Sequence, residues 1–264
     1  MKPNRIQLVI FDWAGTTIDH GCFAPISAFI KAFKACGVEL TPAQARGPMG
    51  LHKKDHIRSL FQLDEIAAQW QAIHQRPWSE SDVEQIYETF MPLQIDEAQK
   101  FTDLIPGLCE TISLLRERGI KIGSTTGYPR IVVEPILAAA KAQGYAPDFT
   151  MCADEVPAGR PAPWMIYRNM EALNVFPPAS VVKVGDTVPD IEAGLNAGTW
   201  TVGLTQTGSE VGLTIAEFEA LSSDQQQKLL QTAETKLKNA GADFVIPTVN
   251  ALPEIIKQIE SSEH

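Results

Sequence analysis

The 264-residue sequence predicts an α/β protein, with a parallel sheet flanked by helices and an all-helical module inserted after the first strand. Three observations carry this. Apolar runs of strand length end in carboxylate or hydroxyl residues, as in Leu8-Val9-Ile10-Phe11-Asp12, Ile120-Lys121-Ile122-Gly123-Ser124-Thr125-Thr126 and Val181-Val182-Lys183-Val184-Gly185-Asp186. From about residue 100 such runs alternate with helical patterns, the order expected of βα units with right-handed crossovers. Between residues 21 and 99 only helical patterns occur.

Each element follows from local pattern. The first strand, 8–11, has no polar interruption and contains β-branched Val9 and Ile10, which suits a strand buried on both faces. Residues 25–37 place Ile26, Phe29, Ile30 and Phe33 on one helix face. Residues 52–61, 64–76 and 79–90 continue as helices, punctuated by Gly37, Pro42, Gly47-Pro48, Pro77 and Pro92. Then come helix 106–118, strand 120–125, helix 130–143, strand 149–153, helix 163–173, strand 180–184, helix 189–197 and strand 199–204. Residues 214–238 read as one or two helices, 242–247 as a late strand and 252–259 as a closing helix. Residues 206–240 carry the least functional information. The predicted division is a core of 1–20 and 100–264 and a helical segment of 21–99.

Composition narrows the function. Lys+Arg 22 against Asp+Glu 32 gives a net charge of −10, which argues against nucleic acid and anionic membrane surfaces as partners. An anionic substrate therefore needs a local positive site. No apolar stretch approaches the roughly 20 residues of a membrane span. The N-terminal apolar run, about six residues broken by Gln7, is too short for a signal peptide. Cys22, Cys36, Cys109 and Cys152 form no CxxC pair, so buried reduced thiols and a cytoplasmic location are expected.

Four segments carry chemistry. Asp12 ends a buried strand, where a charge needs a cation or donors. Ser124-Thr125-Thr126-Gly127 ends a second strand with hydroxyls, Gly159-Arg160-Pro161 holds a cation in a rigid turn, and Asp186 and Asp190 bracket the turn after a third strand. The alternative for each aspartate is helix capping. In this chain order the four segments resemble the motifs of the haloacid dehalogenase superfamily. The resemblance implies a Rossmann-like parallel sheet flanked by helices, the haloacid dehalogenase-like core, with an inserted all-helical cap domain.

Asp12, Asp186 and Asp190 can together hold a hard divalent cation such as Mg²⁺, which orients a phosphoryl group toward Asp12 as a carboxylate nucleophile. Thr126 can donate its hydroxyl and Gly127 its N–H to phosphoryl oxygens, and Arg160 supplies fixed charge where the superfamily usually has lysine. A second departure is Ala14. Phosphatases of the superfamily carry there an aspartate that protonates a leaving oxygen, so either the chain only binds or its leaving atom is not oxygen.

The helical segment favours the latter. A Gly-rich stretch, Arg46-Gly47-Pro48-Met49-Gly50-Leu51, runs into a helix that starts near Lys53. The helix dipole and the charges of Lys54 and Arg58 disfavour an ammonium at Lys53, and a lysine so lowered can attack an aldehyde to form an imine. His56, three residues on, can move protons for that step. The alternative for Lys53 is a solvated surface lysine, which is how Lys54 reads.

Together, Asp12-Trp13-Ala14-Gly15-Thr16, Met49-Gly50-Leu51-His52-Lys53, Thr126-Gly127-Tyr128, Gly159-Arg160-Pro161 and Gly185-Asp186-Thr187 resemble the phosphonoacetaldehyde hydrolase family of that superfamily. The resemblance implies a small-molecule phosphonate substrate, an Asp12 nucleophile, a Lys53 imine, and acetaldehyde and phosphate as products. It also implies Mg²⁺ held by Asp12, the Ala14 carbonyl and Asp186, with Asp190 acting through metal-bound water, and a homodimer. Met49, Gly50, Thr126, Gly127, Tyr128 and Arg160 are the expected substrate contacts; Trp13 and Cys22 either line the site or pack in the core or hinge. Asp19 to Cys22 and the vicinity of Lys100 are candidate hinges. A phosphatase or phosphoglucomutase-like enzyme, lacking its acid at Ala14, is the alternative, and a phosphate-binding module is the non-enzymatic one.

Overall fold

The structure is a computed structural model that describes residues 5–261. Six strands form one parallel sheet: β1 (Leu8–Phe11), β2 (Lys121–Thr126), β3 (Phe149–Cys152), β4 (Val181–Gly185), β5 (Trp200–Leu204) and β6 (Phe244–Ile246), in the order β3-β2-β1-β4-β5-β6. The first strand lies between β2 and β4, fully buried as its unbroken apolar run requires.

Between β1 and β2 the chain forms α1 (Phe23–Ala35), α2 (Pro42–Arg46), α3 (Lys53–Phe61), α4 (Asp64–His74) and α5 (Glu80–Ala98). This is the all-helical cap. Its apolar cluster is its own, centred on Phe29, Phe33, Phe61, Trp70 and Phe90. Edge-on packing of Trp70 against Phe61, with ring centres 5.0 Å apart, helps to lock it.

In the core, α6 (Leu108–Glu117), α7 (Arg130–Ala142), α8 (Trp164–Ala172), α9 (Val188–Ala197), α10 (Ile215–Glu219), α11 (Ser223–Asn239) and α12 (Leu252–Ser261) complete the order. The two-residue period of β1 sends Val9 and Phe11 into one cluster with α6, α7 and α12, and Leu8 and Ile10 into another with α8 and α9. No described helix is long and apolar enough to cross a membrane.

Two elements differ from expectation. Residues 42–46, where the sequence pattern gives no helix, form α2, started by Pro42 and by a capping box in which Thr41 and Gln44 bond each other's backbone N–H. The helix predicted to end at residue 90 runs to Ala98 through Pro92. Pro92 is exposed while Phe90, Gln94, Glu97 and Ala98 are buried, so the missing hydrogen bond falls on the solvent side. The segment 214–238, expected as one or two helices, forms two, α10 and α11, because Thr214 and Ser222 each open a capping box. All four cysteines are free; Cys22 and Cys152 are buried, whereas Cys36 and Cys109 are only half-buried.

Candidate active site

Strand order places the site. From β1 the sheet continues toward β2 on one side and β4 on the other, so a crevice opens beyond their carboxyl ends. Phe11 lies opposite Ser124 of β2 and Val184 of β4, which brings Asp12, Thr125 and Gly185 to the same edge.

Asp12, Asp186 and Asp190 converge there, all buried, with one oxygen from each lying within 4.8 Å of the others. Two cations enter the cluster. Arg160 donates through Nη2 to Asp12 Oδ1, and to the carbonyl and hydroxyl of Thr125 at 3.0 and 3.1 Å. Its Nη1 lies 3.0 Å from Asp190 Oδ1. Lys183 Nζ lies 2.6 Å from the same Asp190 oxygen and donates to the Val184 carbonyl at 2.9 Å. Thr187 donates its hydroxyl to Asp190 Oδ2 at 2.6 Å.

These partners set three carboxylates apart. Burial pushes Asp12 up, with Arg160 pulling against it and Asp190 adding like charge. Burial, Asp12 and Asp190 push Asp186 up to about 8. Burial also acts on Asp190, but Arg160 and Lys183 overcome it and hold that carboxyl below its usual range. Asp186 accepts the Ser209 N–H at 2.8 Å and a long 3.3 Å contact from the Thr16 hydroxyl, and no described cation pairs with it. The donor set is all oxygen and fits a hard dication. Asp12 and Asp186 are the carboxylates with oxygen to offer; Asp190 is already claimed by Lys183, Arg160 and Thr187.

The cap supplies the opposite wall. Lys53 is the first residue of α3, 5% exposed, with Nζ over the rings of Phe29 and Tyr128, 5.5 and 5.2 Å from their centres. Among the described residues no carboxylate lies within ion-pair distance of it. Burial lowers its pKa from 10.5 to about 8; Arg160 adds to the shift, while Cys22 and Asp12 oppose it. The charges expected to do this do not. Lys54 pairs with Glu84 at 2.7 Å, and Arg58 pairs with Asp55 and with Glu80 at 2.7 Å, so both are neutralised at the surface.

His56 also differs from expectation. Its ring stacks on Phe29 with centres 3.8 Å apart, Nε2 lies 2.9 Å from the Ala45 carbonyl, and burial holds its pKa well below the usual value. It packs behind Lys53 on the shared Phe29 ring and does not line the cavity, because its one bonded nitrogen is turned into the cap.

Cap and core line a half-open cavity of about 30 Å³. From the core it is lined by Asp12, Ala14, Thr126, Gly127, Tyr128 and Arg160, and from the cap by Cys22, Met49, Gly50 and Lys53. Gly50 has φ +93°, and a Cβ there would lie 2.5 Å from the Thr187 hydroxyl, so only glycine brings this loop so close to the core. Arg160 Nε and the Tyr128 hydroxyl are buried without a partner, two donors available to a ligand bound there. The Thr126 hydroxyl accepts the Tyr128 N–H at 3.1 Å, which fixes its oxygen and leaves its proton to donate. Trp13 packs in the core against Tyr145, ring centres 5.5 Å apart, and is absent from the lining.

Lys183 and Ser209 were missed by sequence reasoning. A signal existed for Lys183: a charge in the middle of an otherwise apolar, doubly covered strand needs a buried counterion. Ser209 acts through its backbone N–H, which no residue type announces.

The pattern of the haloacid dehalogenase-like hydrolase family matches residues 6–198. The chain is similar to a phosphonoacetaldehyde hydrolase of Bacillus cytotoxicus, 44% identical over 98% of both chains. It is similar also to one of Syntrophobacter fumaroxidans, 45% identical over 98% of this chain and 94% of the relative. A crystal structure of a phosphonoacetaldehyde hydrolase-like protein from Oleispira antarctica superposes with a TM-score of 0.95 at 44% identity, covering 97% of this chain and 92% of that one.

Proposed function

The chain belongs to the haloacid dehalogenase-like hydrolase family and groups with the phosphonoacetaldehyde hydrolases, and from that premise we propose that it cleaves the P–C bond of phosphonoacetaldehyde to acetaldehyde and phosphate. The observation that supports this most is a buried lysine with no carboxylate partner among the described residues, its pKa near 8, lining the same cavity as Asp12.

The cap segment 21–99 closes over the core and brings Lys53 above the carboxylates. Lys53 Nζ adds to the aldehyde carbon and water leaves, giving a protonated imine. Arg160 Nε and the hydroxyls of Tyr128 and Thr126 receive the phosphonate oxygens, with the Gly127 N–H beside them. An Asp12 oxygen attacks phosphorus, and the electron pair of the P–C bond moves into the imine to give an enamine. No oxygen leaves, so Ala14 need not be an acid. The enamine carbon takes a proton, and water releases acetaldehyde and the free Lys53 amine. A second water attacks phosphorus and frees phosphate from Asp12. Asp12, Asp186 and the Ala14 carbonyl would hold Mg²⁺, which supplies charge neutralisation for the phosphoryl group; Asp190 would act through water and by holding Arg160. Met49 and Gly50 close the cavity. His56 presses Phe29 against Lys53 and keeps that wall dry.

Borohydride tests the reading. With phosphonoacetaldehyde or acetaldehyde present, it should inactivate the protein and leave a secondary amine on Lys53, located by peptide mass mapping. Phosphate release should disappear in Lys53→Arg, since guanidinium keeps the charge but forms no imine. An adduct on Lys54, or equal loss without aldehyde, overturns the assignment.

A further inference from the structure

We infer that Arg46 is a positioning residue that ties closure of the cap to the placement of Asp186, acting through the turn at residues 208–212. The inference rests on the reading of Asp12 and Asp186 as the cation site.

Arg46 is the last residue of α2 and faces out of the cap. Its donors go to main-chain carbonyls: Nη1 to Gly21 at 2.6 Å and to Ser209 at 3.3 Å, Nη2 to Gly212 at 3.1 Å. Its guanidinium carbon lies 5.1 Å from the centre of the Phe23 ring. Among the described residues no carboxylate is within ion-pair distance. An arginine that spends all its bonds on backbone oxygens from two separate stretches works as a clamp rather than an ion pair.

The two stretches matter. Gly21 lies at the junction of core and cap, and its N–H donates to the Thr207 carbonyl at 2.8 Å. Ser209 and Gly212 belong to the turn after β5, closed by the Gly212 N–H on the Gly208 carbonyl at 3.0 Å. Ser209 offers its carbonyl to Arg46 and its N–H to Asp186 Oδ2, the latter at 2.8 Å. One residue thus touches the cap's clamp on one side and a candidate metal ligand on the other. Gly212 has φ +62°, and a Cβ there would stand 2.6 Å from the Arg46 guanidinium carbon, so the close approach depends on glycine.

When the cap swings away, Arg46 leaves these carbonyls to water, the turn loses its outer restraint, and the Ser209 N–H no longer holds Asp186 in one orientation. Loss of a partner that orients a metal ligand weakens metal affinity by about 10–100-fold. Arg46 acts one step further out, so about threefold to tenfold is expected.

Calorimetric titration with Mg²⁺ tests this on the full chain, alongside melting curves that establish folding. Arg46→Met keeps the aliphatic stem over Phe23 and should weaken Mg²⁺ by that factor. Gly212→Ala alters no charge and should weaken it as well, and Arg46→Lys should recover part of the loss. Unchanged affinity in both Arg46→Met and Gly212→Ala overturns the coupling. Should a variant fail to fold, hydrogen exchange on the wild type decides. Mg²⁺ should slow exchange at residues 208–212 and at the Gly21 junction together, and slowing confined to 208–212 overturns the coupling. These measurements use no phosphonoacetaldehyde: a wild type that binds Mg²⁺ but leaves phosphonoacetaldehyde intact overturns the proposed activity and leaves the coupling standing.

Discussion

Core and cap each bury one lysine beside the site, and they treat it in opposite ways. Lys183, on β4, has no exposed surface and lies 2.6 Å from Asp190. Lys53, on the cap, is 5% exposed and faces two aromatic rings, with no carboxylate partner among the described residues. Burial lowers both pKa values, but Asp190 stands against the shift at Lys183 and holds its charge in place. The same side chain becomes a fixed cation in one region and a potential nucleophile in the other. Burial does not decide the role of a lysine here; the partner does.

The contrast can be broken at its core end. Lys183→Met leaves Asp190 buried with Arg160 as its remaining cation among the described residues, and Arg160 is then drawn from Asp12. The loss should be about 3–5 kcal/mol of stability, read from urea unfolding. A loss below about 1 kcal/mol would mean that Lys183 is not a committed charge.

The cap end should respond with the other sign. The folded-state pKa of Lys53 lies below its unfolded value, so the penalty for burying the ammonium is fully present below about pH 8 and gone above about 10.5. Lys53→Met should therefore abolish imine trapping while raising stability at pH 7 by about 1–3 kcal/mol. Equal unfolding midpoints for variant and wild type would show that the ammonium is solvated after all.

A smaller effect sharpens the comparison through pH. Imine formation needs the free amine, so the rate of borohydride trapping should fall about tenfold per unit below pH 8 and level off above it. An inflection near 10.5, the value of an ordinary lysine, would contradict the buried setting.

The core was more legible in the sequence than the cap. Asp12, Thr126, Asp186 and Asp190 stand at the ends of apolar strands, and a parallel sheet gathers strand ends at one edge, so local pattern implied their meeting. Lys183 escaped notice because its run reads as apolar, although a lone charge in a doubly covered strand implies a counterion. In the cap, the position of Lys53 at a helix start was legible, but the cause of its shift was not. Lys54 and Arg58 look potent in sequence, yet Glu84, Asp55 and Glu80 neutralise them from sites that only the fold brings near. Pro92 misled in the same way, since whether a proline ends a helix depends on which side of it meets water.

The cavity between Lys53 and Asp12 carries one more implication, and it concerns traffic. At about 30 Å³ it has room for about two waters. The proposed substrate, a phosphonate with an aldehyde arm, needs more room than that, so the cap would have to stand further from the core to take it in. On the proposed reaction, each turnover would need the cap to move aside twice, once for the reactant and once for the products. Movement of the cap would then set a ceiling on throughput however fast the bond breaks. A covalent staple across the junction would leave every reacting group in place and an enzyme that nothing can enter.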